Sequence, residues 1–183
     1  MKKLALTLLM SAISASAIAE GRFYVGADLS KDTYELAPGA EFKSDGMGFA
    51  IQGGYDARFS EMFSVATELE YAKYSNAKVT STIPFVGKFS FDQKLSTISL
   101  NLKPKLYVGN VYVGAPLGLG YGMVDQGATI QNQLISGNIV NGVVIHYGAE
   151  LGIDIMEQFV VKGGYKKNTL NYSSFYAGIG YKF

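Results

Sequence analysis

Glu68 and Glu70 stand two residues apart in Phe63–Tyr74, a stretch in which apolar and polar residues alternate, and Lys103, Glu150 and Lys162 sit in three later stretches of the same kind. Residues two apart on an extended chain share a face. All five charges therefore take the polar phase of their strands, several residues from the short turns, where they can meet at similar depth. Carboxylates beside ammonium groups can hold strands together as ion pairs, line an ion path, or exchange protons with a substrate. Pairing is the least demanding role, because an unpartnered buried charge costs several kcal/mol of desolvation. His146, the only histidine, shares the polar face of Glu150. General-base work needs a partner within hydrogen-bond reach and a route for substrate. The neighbouring sequence shows neither, so His146 is expected as a hydrogen-bonded interior histidine and no enzyme is read from it. With no cysteine, no second histidine and no Asp/Asn-rich calcium loop, no metal or other cofactor is expected. Gly118-x-Gly120-x-Gly122 lies inside an alternating strand with no helix after it, so it is not a phosphate loop.

The elements that must position these residues are read from period-2 alternation: Arg22–Lys31, Met47–Tyr55, Phe63–Tyr74, Leu95–Val108, Val111–Met123, Ile139–Ile155, Phe159–Lys166 and Ser173–Phe183. On the sixth, Val143, Ile145, Tyr147, Ala149, Leu151, Ile153 and Ile155 oppose Val144, His146, Gly148, Glu150, Gly152 and Asp154. The connectors alternate too. Asp32–Gly46, Ser75–Lys94 and Val124–Asn138 are long, and Lys167–Tyr172 is moderate. Asp56–Met62, Gly109–Asn110 and Met156–Gln158 are short. An even count of strands, apolar on one face and polar or glycine on the other, with connectors of alternating length, predicts an all-β, eight-stranded, up-and-down antiparallel transmembrane barrel with both termini on the short-turn, periplasmic side. A soluble sandwich or lipocalin-like barrel alternates as well, with its apolar face inward. Irregularity is expected at Pro104 and Pro116, which donate no ladder hydrogen bond. It is also expected between Phe91 and Ile98, where the apolar phase changes from odd to even; either a β-bulge or a hairpin that has already left the membrane would reconcile the two.

The first residues favour the membrane alternative. Lys2 and Lys3 precede an apolar stretch, Leu4 to Ile13, and Ala17 and Ala19 have the A-x-A spacing of a cleavage site. The expected organisation is a removed signal peptide, 1–19, and one barrel domain, 20–183. The 16 basic residues, two of them in that leader, against 15 acidic ones leave no nucleic-acid footprint.

The Ala17-Ile18-Ala19 region, the Leu117-Gly118-Leu119-Gly120-Tyr121-Gly122 strand and the closing Phe175-Tyr176-Ala177-Gly178-Ile179-Gly180-Tyr181-Lys182-Phe183 together resemble the small eight-stranded outer-membrane barrels of the OmpA, OmpX and opacity-protein kind. The resemblance covers the mature chain and is one of architecture. It implies a place in the bacterial outer membrane, among its lipid and lipopolysaccharide. It also implies that Tyr181 and Phe183 belong to a signal read by the outer-membrane assembly machinery, and that Glu68, Glu70, Lys103, Glu150 and Lys162 form an internal charge cluster that plugs or gates the lumen. The sequence ends at the last strand, so the peptidoglycan-binding role of longer relatives is not expected.

The long loops are the remaining place for function. Tyr34, Phe42, Phe85 and Lys88 are the expected contacts for a host or surface ligand, with Phe85 to Phe91 alternatively serving to extend the sheet as a hairpin. The reading at this stage is a surface-interaction or envelope-integrity protein. A narrow or gated porin-like channel is the first alternative and a lipid-modifying enzyme the second.

Overall fold

The computed structural model describes residues 20–37, 40–43, 46–83, 87–130 and 133–183. They form eleven strands: β1 (Glu20–Ala37), β2 (Ala40–Lys43), β3 (Gly48–Ser60), β4 (Phe63–Lys73), β5 (Ala77–Ile83), β6 (Gly87–Val108), β7 (Val111–Gly114), β8 (Leu117–Ile130), β9 (Gln133–Ile155), β10 (Phe159–Asn168) and β11 (Tyr172–Lys182). β7 and β8 are one wall strand, and β2 and β5 are outer additions to β1 and β6. Eight wall strands then close on themselves, because β1 pairs with β3 on one side and with β11 on the other, from Tyr24↔Lys182 to Tyr34↔Tyr172. The barrel is antiparallel throughout.

Which face is inside follows from burial. On β9, Val144, His146, Glu150 and Asp154 are buried while Val143, Ile145, Tyr147, Leu151 and Ile153 are exposed. The apolar face points out, as it does when lipid rather than water surrounds the wall. The soluble alternative is excluded by that inversion. Aromatic rings band the outer face at both ends: Phe23, Tyr55, Phe159, Tyr181 and Phe183 at the short-turn end, and Phe49, Tyr71, Tyr165 and Phe175 at the loop end. Among the described residues, the outer face between these belts carries no charge; Lys31 and Lys73 stand at the loop-end belt, paired opposite Phe175 and Phe49, and Lys167 is the next outward position after Tyr165 on β10.

The irregularity expected between Phe91 and Ile98 is relocated, and those expected at the two prolines are found as gaps in the ladder. β6 pairs with β8 without a shift from Phe89↔Ile130 to Leu102↔Leu117, so no bulge interrupts that pairing. The extra residue lies on the strand across from it: four steps from Lys73 to Ala77 oppose three from Ser96 to Gln93. The odd phase near Leu95 is inward, and Leu95 is fully buried inside the barrel. Pro116 interrupts the ladder, yet the register is the same on both sides, Gly114↔Lys105 and Leu117↔Leu102. Pro104 keeps its place opposite Val65 on β4, but the ladder toward β7–β8 is interrupted there as expected: with no N–H it donates nothing to Ala115, and only its carbonyl accepts, from Ala115 N at 3.0 Å. Much of the long connectors is itself strand, because β5–β6 and β8–β9 continue as hairpins well past the wall.

Candidate functional site: the lumen and its two ends

Glu68 projects inward from β4, Lys103 from β6, Glu150 from β9 and Lys162 from β10, and the register brings them to one level. Lys103 Nζ donates to Glu150 Oε2 at 2.9 Å and to Glu68 Oε2 at 3.2 Å. Lys162 Nζ lies 3.1 Å from Asp28 and 3.7 Å from Glu150 Oε2. Tyrosine hydroxyls complete the layer: Tyr24 donates to Glu68 Oε2 at 2.5 Å, and Tyr112 and Tyr176 each donate to Glu150 at 2.8 Å. Asn101 donates to Glu68 and Gln52 to Asp28. Three carboxylates thus share two lysines, and neutral donors bind the remaining lone pairs. Such geometry offsets the desolvation of buried charge.

Glu70 is not part of this group. It sits one inward position nearer the loops and pairs with Lys166 at 2.5 Å. A further layer lies toward the short turns, where Lys105 binds Asp56 at 2.9 Å and Lys182 bridges Asp154 at 2.6 Å and Asp56 at 3.4 Å. Sequence reasoning did not single out Asp28, Asp56, Lys105, Lys166, Lys182 or the three tyrosines as members of the cluster. The signal was present, since all share the inward phase of their strands.

Glycine makes room for these large side chains. On β8, Gly118 and Gly120 lie beneath Asn101 and Ser99 of β6, and a Cβ at Gly152 would overlap the Tyr112 ring. His146 lies across Gly118 from Asn101. Its ring is buried, but neither nitrogen has a hydrogen-bond partner among the described residues, which corrects the expected hydrogen-bonded histidine.

The two ends of the lumen differ. At the short-turn end a cavity of about 650 Å³ opens among Arg22, Asp56, Arg58, Tyr107, Asp154 and Lys182. At the loop end an apolar cap of Ala50, Ala72, Tyr74, Leu95, Val124 and Tyr172 packs together inside the barrel, with Tyr34 and Leu170 against it. The Tyr172 ring lies tilted against Tyr34 at 4.9 Å and against Tyr74 at 5.4 Å. Tyr34 is therefore half-buried in this cap. Phe42 lies in β2 and Lys88 in β6, whereas Phe85 and residues 1–19 lie outside the described residues. Tyr181 and Phe183 are on the outer face at the seam: Phe183 N donates to Phe23 O at 2.9 Å, and the Phe183 ring stacks on Phe23 and on Tyr181, each at 6.4 Å.

Comparison with known proteins agrees with this geometry. Ail, the attachment invasion locus protein of Yersinia pestis, has a crystal structure that superposes with a TM-score of 0.56 at 18% identity, covering 90% of this chain and 99% of that one. Neisserial surface protein A gives 0.55 at 16% identity, covering 88% and 97%. A major outer membrane protein from Thermus thermophilus gives 0.63 at 12% identity, covering 90% and 100%. At these identities the likeness is one of fold. No curated protein sequence matches the chain. The family model described as outer membrane protein beta-barrel domain matches residues 4–183, and the chain belongs to that family.

Proposed function

We propose that the wall of this outer-membrane barrel is an anchor and that its loop-end hairpins make the functional contacts, in surface interaction or adhesion and in envelope integrity. The observation that carries this reading is the filled lumen. An ion-pair layer, the Glu70–Lys166 pair and an apolar cap occupy successive levels of an eight-stranded barrel, whose interior is only wide enough for side chains. What projects into solvent is the continuation of β5–β6 and β8–β9. A crystal structure of Ail in complex with the heparin analogue sucrose octasulfate lends support, because it puts a surface ligand on a barrel of this fold.

In this reading residues 1–19 are a cleaved export signal, the short turns and both termini face the periplasm, and Lys31, Lys73 and Lys167 lie at the level of lipopolysaccharide phosphates. Tyr181 and Phe183 serve the assembly machinery. His146 is buried and has no hydrogen-bond partner among the described residues to serve general-base work, which favours the anchor reading over a lipid-modifying enzyme. The test replaces Gly127–Gly137 with Asn-Gly, a tight hairpin turn between the paired Gln126 and Asn138, and measures attachment of cells to immobilised heparin and to epithelial monolayers alongside their resistance to bile salts. The reading expects loss of attachment or resistance with the barrel still assembled. Unchanged values for both would overturn it.

A gated channel is the second reading. The short-turn cavity of about 650 Å³ favours it, since it leads directly to the Asp56–Lys182 layer.

A further inference from the structure

The cavity at the short-turn end is floored by acceptors that no described residue serves. Asp56 of β3 and Asp154 of β9 each give one carboxylate oxygen, Oδ2, to Lys105 or Lys182. The other oxygen of each, Oδ1, is buried with no hydrogen-bond partner among the described residues, and the Ser64 hydroxyl on β4 is in the same state. Asp56, Asp154 and Ser64 are 5%, 9% and 1% exposed, and all three line the cavity. An ionised carboxylate only accepts, so a free oxygen calls for a donor, and a buried acceptor without one is costly.

The mouth above this floor is fixed by its turns. Arg22 on β1 donates from both terminal nitrogens to Glu157, to its carbonyl oxygen and to its Oε2, each at 2.8 Å. Met156 and Glu157 have φ of 52° and 63°, left-handed values that residues other than glycine rarely adopt. Backbone strain of this kind persists where the surroundings over-determine it, and functional sites collect it. Arg58 on β3 lies over the Tyr107 ring at 4.8 Å and donates to Glu61 O at 2.9 Å through one terminal nitrogen, which leaves the other for a ligand. Phe59 adds a half-exposed ring to the lining.

The charges at this end are already matched. Lys105 and Lys182 answer Asp56 and Asp154 on the floor, and Arg22 answers Glu157 at the rim. A cation on the free Oδ1 atoms would sit beside two ammonium groups, and an anion would face two carboxylates. The missing partner is therefore neutral, donates to the floor and accepts from Arg58. A saccharide meets all three demands, because each hydroxyl both donates and accepts, and its C–H face suits the Phe59 ring. We propose that this cavity binds a short neutral saccharide whose hydroxyls donate to Asp56 Oδ1 and Asp154 Oδ1 and bond to Ser64. The volume, about 650 Å³, is that of a small-molecule site. The site lies at the opposite end of the lumen from the outer hairpins, so it goes beyond the loop-end reading and does not depend on it.

The test uses refolded Glu20–Phe183 in nanodiscs, titrated in turn with trehalose, maltose and lactose, and with spermidine as the cationic comparison. Amide NMR shifts are followed residue by residue. The proposal expects at least one disaccharide to give saturable shifts at Asp56, Ser64 and Asp154, with none at Gly127 or Gly142 in the outer hairpin. Ser64→Ala touches no ion pair. It should unfold with the parent and weaken that binding by about three- to tenfold, the worth of one hydrogen bond. No saturable shift with any of the three sugars, unchanged affinity in Ser64→Ala, or saturation of these residues by spermidine alone would overturn the site.

Discussion

Lys103 Nζ and Glu150 Oε2 meet at 2.9 Å in the middle of the barrel, with side chains 4% and 0% exposed. The same ammonium also holds Glu68, so one cation on β6 ties β4 to β9 across the lumen. Removing it leaves Asp28, Glu68 and Glu150 with Lys162 alone.

Lys103→Met is therefore expected to destabilise the barrel by about 3–5 kcal/mol, the range for breaking a buried pair by deleting one partner. Urea unfolding of the refolded protein measures it. Adding Glu150→Gln should recover part of the loss, because the site is then one charge nearer balance. An unchanged unfolding midpoint for Lys103→Met would show that the pair contributes nothing.

Gly152→Ala should cost about 1–3 kcal/mol, since the new methyl overlaps the Tyr112 ring and pushes its hydroxyl off Glu150. Gly53→Ala is the matched control. Its Cβ would meet Tyr24 O at 3.7 Å, ordinary contact, and it should unfold with the parent.

Leu95→Ala opens a void in the apolar cap and should cost about 2–5 kcal/mol. Leu100→Ala, on the exposed outer face of the same strand, should cost less. Equal losses would mean that the cap is loosely packed.

Deleting Phe183 should reduce assembly in cells more than refolding in detergent. The folded-state loss is one backbone bond to Phe23 and two ring contacts at an exposed seam. Equal loss in both settings would assign Phe183 a structural role alone.

The wall was legible because lipid outside and polar groups inside impose one phase on every strand. Glu68, Glu150 and Tyr112 each fall on the inward side that alternation assigns. Partnership was less legible, because alternation gives a residue's face and not its height. Glu70 shares a face with Glu68, yet one inward step moves it from Lys103 to Lys166. The cap was missed for a related reason. Leu95 and Val124 read as outer apolar residues or loop when the lumen is assumed polar, whereas the structure closes its loop end with hydrocarbon. The extended hairpins were hidden by composition: Val124–Asn138, rich in Gln and Asn, reads as loop, and the strand form of its described residues depends on pairing across β8 and β9.

The central claim is that the lumen is filled and the barrel acts through its outer hairpins. Single-channel conductance of refolded Glu20–Phe183 in planar bilayers tests it most directly, with Glu68→Gln and Lys103→Met alongside and heat-modifiable gel mobility confirming the fold. The account predicts a folded, silent barrel. Discrete conductance steps in the parent protein that change in either variant would contradict it and make the ion-pair layer a gate.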